Sequence, residues 1–165
     1  MSPTRTAALT LRKTSEIAVP PEEVWARVIT PQGINDEMGP YLAMTMPRTF
    51  RGRTIADVTP GTHIGKSLLL LFGFIPVGYD DITIARIEPG RMFREESVMT
   101  GMQMWVHQRT LQTRGDITVV TDEITLAPKA PLRLIPGSAT LIRAVVSAFF
   151  SHRHRRLRRS MALLQ

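Results

Sequence analysis

The run Met104-Trp105-Val106-His107-Gln108-Arg109-Thr110-Leu111 alternates residue by residue, a glycine follows at 115, and Thr118 to Leu126 continues the pattern. Two such runs around a glycine turn predict a long β-hairpin. Strand side chains point alternately to two faces. One face therefore carries Trp105, His107, Arg109 and Leu111 from the first run, and Val120, Asp122, Ile124 and Leu126 from the second. Three ionisable groups thus sit among apolar ones. Burying them is costly unless they satisfy one another or a ligand. The hairpin is where function is expected.

A turn centred on Arg114-Gly115 places His107 opposite Asp122, Arg109 opposite Val120 and Trp105 opposite Ile124. Directly opposed side chains in a hairpin are close enough to interact. The His–Asp pair has two readings. It is a carboxylate-oriented imidazole in a pocket, able to act as acid, base or donor to a ligand carbonyl, or a buried pair that only fixes the sheet. A one-residue slip would swap the faces.

The rest of the chain supplies the partners for this hairpin. Thr10 to Val19 alternates and reads as a first strand. Pro20-Pro21-Glu22-Glu23 opens a helix, and Thr30-Pro31 ends it. Pro31 to Met38 allows a second short helix, stopped by Gly39-Pro40. Tyr41 to Met46 is a short strand, and Pro47 to Gly61 is turn-rich and basic, a loop or a short irregular strand. Lys66 to Phe74, Tyr79 to Ile87 and Met92 to Met99 read as strands, the first two joined by Ile75 to Gly78. Pro128 to Gly137 holds three prolines and reads as a loop. Ser138 is placed to cap a final helix from Ala139 to about Leu164. This order predicts an α+β fold, a curved sheet with one long helix in its concavity.

That final helix carries an apolar stripe of Val146, Phe149, Phe150, Leu157, Met161 and Leu164, and Arg153 falls on it. Arg153 therefore points to the sheet and needs an anion: Asp122, Glu95, Glu37 or an acidic ligand. Glu95 and Glu96 are adjacent, so a strand sends them to opposite faces and only one sees a pocket. Asp80-Asp81 reads as solvated or capping near a turn. Met38, Met44, Met46, Met92, Met99, Met102 and Met104 cluster in the strands and their lead-in, where thioethers fill cores or line adaptable pockets.

Composition limits the function classes. At 165 residues the chain is read as one domain over residues 1–165, and without cysteine it has neither disulfides nor thiolate metal sites. Residues 1–13 lack an apolar core of the signal-peptide kind, and the longest apolar run, Leu68 to Val77, is too short to span a bilayer. A cytoplasmic protein is the expectation. Of the net charge of +7, most comes from Arg153, Arg155, Arg156, Arg158 and Arg159. Few aromatics interleave with them, so a solvated helix face is expected and nucleic acid is not. None of His63, His107, His152 and His154 has metal-ligand spacing, and no phosphate loop or nucleotide motif is present. Neither metal nor cofactor is expected.

Certain residues run together in a specific order. They are Val19-Pro20-Pro21-Glu22-Glu23-Val24-Trp25; Ile34, Glu37, Pro40, Met44 and Pro47; Asp80-Asp81-Ile82; Glu88-Pro89-Gly90; and Phe93 with Glu95 and Ser97. Trp105, His107 and Arg109 with Asp122, then Phe150, Arg153, His154 and Leu157, complete the set. Together these resemble the START-like, or helix-grip, superfamily, which includes polyketide cyclase/dehydrase-like and lipid-transfer proteins. Within it they resemble a bacterial subgroup without settled function.

The resemblance implies a curved antiparallel sheet wrapped around a long C-terminal helix, with two short helices after the first strand. It also implies an apolar cavity that takes a small hydrophobic ligand, lipid-like or polycyclic. Candidate ligand-binding residues are Trp105, His107, Arg109, Val120, Asp122, Glu95, Phe149 and Arg153. Members include binders and enzymes, so a pocket follows and a reaction does not. The alternatives are a cyclase/dehydrase-like enzyme with His107 and Asp122 moving the proton and Arg109 or Arg153 anchoring substrate oxygen, and a module touching anionic membrane weakly through the C-terminal helix.

Overall fold

Alternation and prolines build most of this fold. The computed structural model describes residues 8–164. After strand β1 (Leu9–Ile17), proline and two acids start helix α1 (Pro21–Val28), as a helix N-terminus favours. Helix α2 (Pro31–Met38) begins with Pro31, and the Thr30 hydroxyl accepts from the Gly33 amide at 3.0 Å. A Cβ at Gly33 would lie 2.0 Å from the Arg27 carbonyl oxygen, so only glycine lets α1 and α2 pack this closely.

Six further strands follow: β2 (Leu42–Met44), β3 (Thr62–Leu71), β4 (Ile75–Glu88), β5 (Met92–Met99), β6 (Met102–Arg114) and β7 (Ile117–Pro128). They form one antiparallel sheet in the order β1-β7-β6-β5-β4-β3-β2, curled into a half-barrel around the final helix. The expected helix-grip, α+β architecture is the one observed. Asn35 ties α2 to the short edge strand β2: its amide donates to the Met44 carbonyl, and its carbonyl accepts from the Met44 amide at 2.8 Å.

The hairpin turns one residue later than expected. Arg114 pairs with Ile117, leaving Gly115 and Asp116 as the turn. Gly115 has φ 59°, and a two-residue turn with positive φ at its first position favours glycine there. Every partner accordingly moves by two residues: Arg109 faces Asp122, His107 faces Ile124 and Trp105 faces Leu126. A two-residue shift keeps each side chain on its face. The composition of the inward face therefore stands, and only its direct pairs change.

Other boundaries also differ. Ile75 to Gly78 belong to β4, and the β3–β4 turn is Phe72 to Phe74. Residues 47–61 are more than a loop: two 3₁₀ turns, Arg48–Phe50 and Ile55–Asp57, bury Phe50 and Ile55, with Val58 beside them. A four-residue helix α3 (Ala130–Arg133) interrupts the proline-rich segment. Helix α4 (Ser138–Ala162) starts after Gly137, whose φ of 78° turns the chain into it; no side chain caps this end, so Ser138 is the first helical residue and not the cap.

The core falls into two apolar clusters. One joins Leu157 and Met161 of α4 to Val24 and Val28 of α1 and to Ile84, Leu111 and Val120 of the sheet. The other joins Val146 and Phe150 of α4 to Leu11, Ile124 and Leu126, with Trp105 and Phe149 packed on it. Leu164, the last member of the expected stripe, is exposed.

Candidate functional site

At the seam where β6, β7, α2 and α4 meet, the ionisable groups of the hairpin face are all buried. Arg109 is bound bidentately on two sides. It donates to Glu37 at 2.6 and 2.9 Å and to Asp122 at 2.7 Å twice. Such fork-to-fork pairs are the strong, geometrically specific ones. Arg153 reaches Glu37 from α4, its Nε 3.2 Å from Oε2, with its guanidinium 5.0 Å from the centre of the Phe150 ring. Of the anions the sequence offered, Glu37 is the partner.

His107 lies between two carboxylates, Nδ1 at 2.9 Å from Glu95 and Nε2 at 3.0 Å from Asp122. Its ring packs edge-on against Phe93 and Phe150. Burial alone would lower its pKa, but the charge and hydrogen bonds of Asp122 and Glu95 raise it. Burial would also raise the three carboxylates, yet their cations win. Asp122 is held well below its ordinary value by Arg109 and His107, Glu37 below it by Arg109 and Arg153, and Glu95 below it by His107. Ionised carboxylates only accept, so both His107 nitrogens donate and the ring is an imidazolium. Glu37, Glu95 and Asp122 then balance Arg109, Arg153 and His107, which is how a buried cluster of charges becomes tolerable. His154 adds a fourth contact to Asp122 at 3.0 Å, and its other nitrogen lies 2.7 Å from the Ser15 hydroxyl. Both His107 nitrogens are committed, leaving it no free lone pair to take a proton from a substrate.

Beside this cluster, between sheet and α4, lies a cavity of about 350 Å³. Ile34, Met38, Met44, Met46, Phe50, Leu69, Ile82, Ile84, Phe93, Met99 and Phe149 form much of its apolar wall. Ser67, Asp80, Glu95, His107 and Arg153 supply its polar lining, with the amphipathic rings of Tyr41 and Trp105. Trp105, His107, Glu95, Phe149 and Arg153, expected at a ligand site, all border this space. Arg109, Val120 and Asp122 do not: Arg109 and Asp122 lie behind the wall in the charge cluster, and Val120 is packed in the apolar core. Of the seven clustered methionines, Met38, Met44, Met46 and Met99 line the cavity.

Asp80 corrects the expectation of a solvated or capping residue. It lies within β4, buried and turned inward, whereas Asp81 faces out and meets His63 at 2.6 Å. The alternation that separates Glu95 from Glu96 separates this pair too, and was the signal for it. Burial, reinforced by the negative charge of Glu95, raises the Asp80 pKa to about 7. Asp80 Oδ1, Ser67 Oγ and Ser97 Oγ are buried without a hydrogen-bond partner among the described residues. The expected exposed face of α4 is present: Arg155, Arg156, Arg158 and Arg159 are all exposed. Among the described residues, no helix is long and apolar enough to cross a membrane, and no group of three His, Asp or Glu side chains could hold a metal ion.

Solved structures resemble this architecture over nearly its whole length. Protein CV1439 from Chromobacterium violaceum aligns with a TM-score of 0.70 at 15% identity, covering 92% of this chain and 96% of that one. The Zhui aromatase/cyclase from Streptomyces sp. R1128 aligns at 0.68 with 13% identity, covering 94% of each chain. A START superfamily protein from Mycobacterium smegmatis aligns at 0.66 with 14% identity, covering 94% and 99%. At such identities the likeness is one of fold. No curated protein matches the chain in sequence. The profile described as Domain of unknown function (DUF8410) matches residues 15–161, so this chain of helix-grip fold belongs to that family.

Proposed function

We propose that this protein binds a small hydrophobic ligand, lipid-like or polycyclic, in the cavity between the sheet and α4, and does so in the cytoplasm. The observation that carries the reading is the cavity of about 350 Å³, walled by aliphatic, aromatic and thioether side chains and holding only a few polar groups. Sites for small molecules have this form, with volumes of about 300–1,000 Å³. Burial of apolar ligand surface contributes ~25 cal/mol per Å² before the costs of association, so micromolar affinity is reasonable. Four methionines in the wall suit ligands of varied shape.

The test is displacement of a neutral fluorescent dye, Nile red, by hydrophobic compounds, on wild type and on Leu69→Trp, which fills part of the cavity from β3. Wild type should bind the dye at micromolar concentration, and the variant should bind it at least ~10-fold more weakly, with an unchanged circular dichroism spectrum. A wild type that leaves Nile red dark and unbound refutes the reading.

A further inference from the structure

The cavity has one polar end with buried atoms left without a hydrogen bond, where the Ser97 hydroxyl lies near enough to Asp80 to favour its ionised form. Ser67 of β3 and Asp80 of β4 are cross-strand neighbours, and both line the cavity. Ser97 of β5 lies beside them, paired with Ile82. Ser67 is fully buried and Asp80 only 6% exposed. Asp80 Oδ1 and both serine hydroxyl oxygens nevertheless make no hydrogen bond among the described residues. Leaving a buried acceptor unsatisfied is costly. No cation of the lining is bonded to Asp80: Arg153 is engaged by Glu37 and His107 by Glu95 and Asp122, and the His107 charge reaches Asp80 only from a distance.

Resting on the ligand-binding reading above, we infer that Ser67 and Asp80 form a head-group subsite for a hydrogen-bond donor, so that the ligand is an apolar molecule ending in a hydroxyl or an amine and not a carboxylate. The donor meets Asp80 Oδ1, and the Ser67 hydroxyl, which both donates and accepts, completes its shell. Above pH 7, where Asp80 is ionised, a carboxylate head would bring a third negative charge beside Asp80 and Glu95 with no free cation to receive it. The apolar body then lies along Leu69, Ile82 and the methionines.

The experiment is Nile red displacement at pH 8, above the Asp80 pKa, by a matched series: dodecanol, dodecylamine and dodecanoate. Wild type should prefer the alcohol, the amine or both over dodecanoate by at least ~10-fold, the effect of one hydrogen bond to a charged or strongly polar group. Amine over alcohol identifies charge pairing with ionised Asp80; alcohol equal to or over amine identifies a neutral hydrogen bond. Asp80→Leu should shrink the preference to within about twofold. Should that variant not fold, the near-isosteric Asp80→Asn, which removes the negative charge, should let dodecanoate compete within about threefold of dodecanol. Equal competition by dodecanoate in wild type, or an undiminished preference in the folded variant, overturns the subsite. Nile red bound without head-group preference defeats this inference alone, whereas absence of dye binding defeats the cavity reading beneath it as well.

Discussion

Two polar regions share the concave face of this sheet. Where β5, β6 and β7 meet α2 and α4, Glu37, Glu95, His107, Arg109, Asp122, Arg153 and His154 each have at least one charged or hydrogen-bonding partner. On β3 and β4, Ser67 and Asp80 are just as buried and have atoms with none. Burial is the same; pairing is opposite. Desolvation is the leading influence on the titration of both, but in the first region opposite charges outweigh it, and in the second the like charge of Glu95 adds to it. A paired cluster is held by the protein for itself. On the proposed reading, an unpaired group at a cavity wall is left open for a ligand.

The largest expected effect breaks the paired side. Asp122→Ala strands Arg109 and His107 without their shared carboxylate, and removing one partner of a buried pair costs ~3–5 kcal/mol. Urea unfolding should show this loss; a change under ~1 kcal/mol would make the cluster dispensable. Next comes the unpaired side, with the opposite sign. Because the folded pKa of Asp80, about 7, lies above the ordinary 3.8, the native state keeps a proton that the unfolded chain has lost. Stability therefore falls as pH rises from about 4 to about 7. Asp80→Asn removes that penalty. It should stabilise the protein by up to ~4 kcal/mol at pH 8 and by little at pH 4, which melting temperatures across this range will show. A pH-independent effect would place Asp80 with the paired groups.

Arg153 and Arg158 give a smaller contrast within one helix. Arg153→Ala frees one side of Glu37 and should cost ~2–3 kcal/mol, since Arg109 still holds that carboxylate. Exposed Arg158→Ala should cost ~0–1. Equal melting temperatures would contradict the placement of Arg153. The smallest change is spectroscopic. Nitrogen NMR should find His107 doubly protonated at neutral pH. Its raised pKa contributes stability that is complete below its ordinary 6.5 and lost only as pH rises through the folded value. A neutral tautomer at pH 6.5 would reopen His107 as a base.

Much of this could be read from the chain. Period-two alternation marked β1 and the β6–β7 hairpin, proline with acids marked α1, and proline marked the start of α2. Helical spacing placed Arg153 against the sheet among the acids it could meet. Local signals of this kind come from rules of a few residues' range. Pairing register was less legible, because whether Arg114 or Gly115 opens the turn changes each partner without changing either face.

What the sequence by itself determined was the inward-facing residues of the β6–β7 hairpin and of the middle of α4: alternation and helical period decide facing there before any packing exists. Only the tertiary structure decided which of them find partners. Glu37 reaches Arg109 across 72 residues, and His154 reaches Asp122 across 32, contacts set by how α2 and α4 lie on the sheet. The same packing leaves Asp80 beside open space and Val120 beside none. Whether an inward group meets a counter-charge, a methyl or a cavity depends on the relative placement of distant elements, and no local pattern in the chain records it.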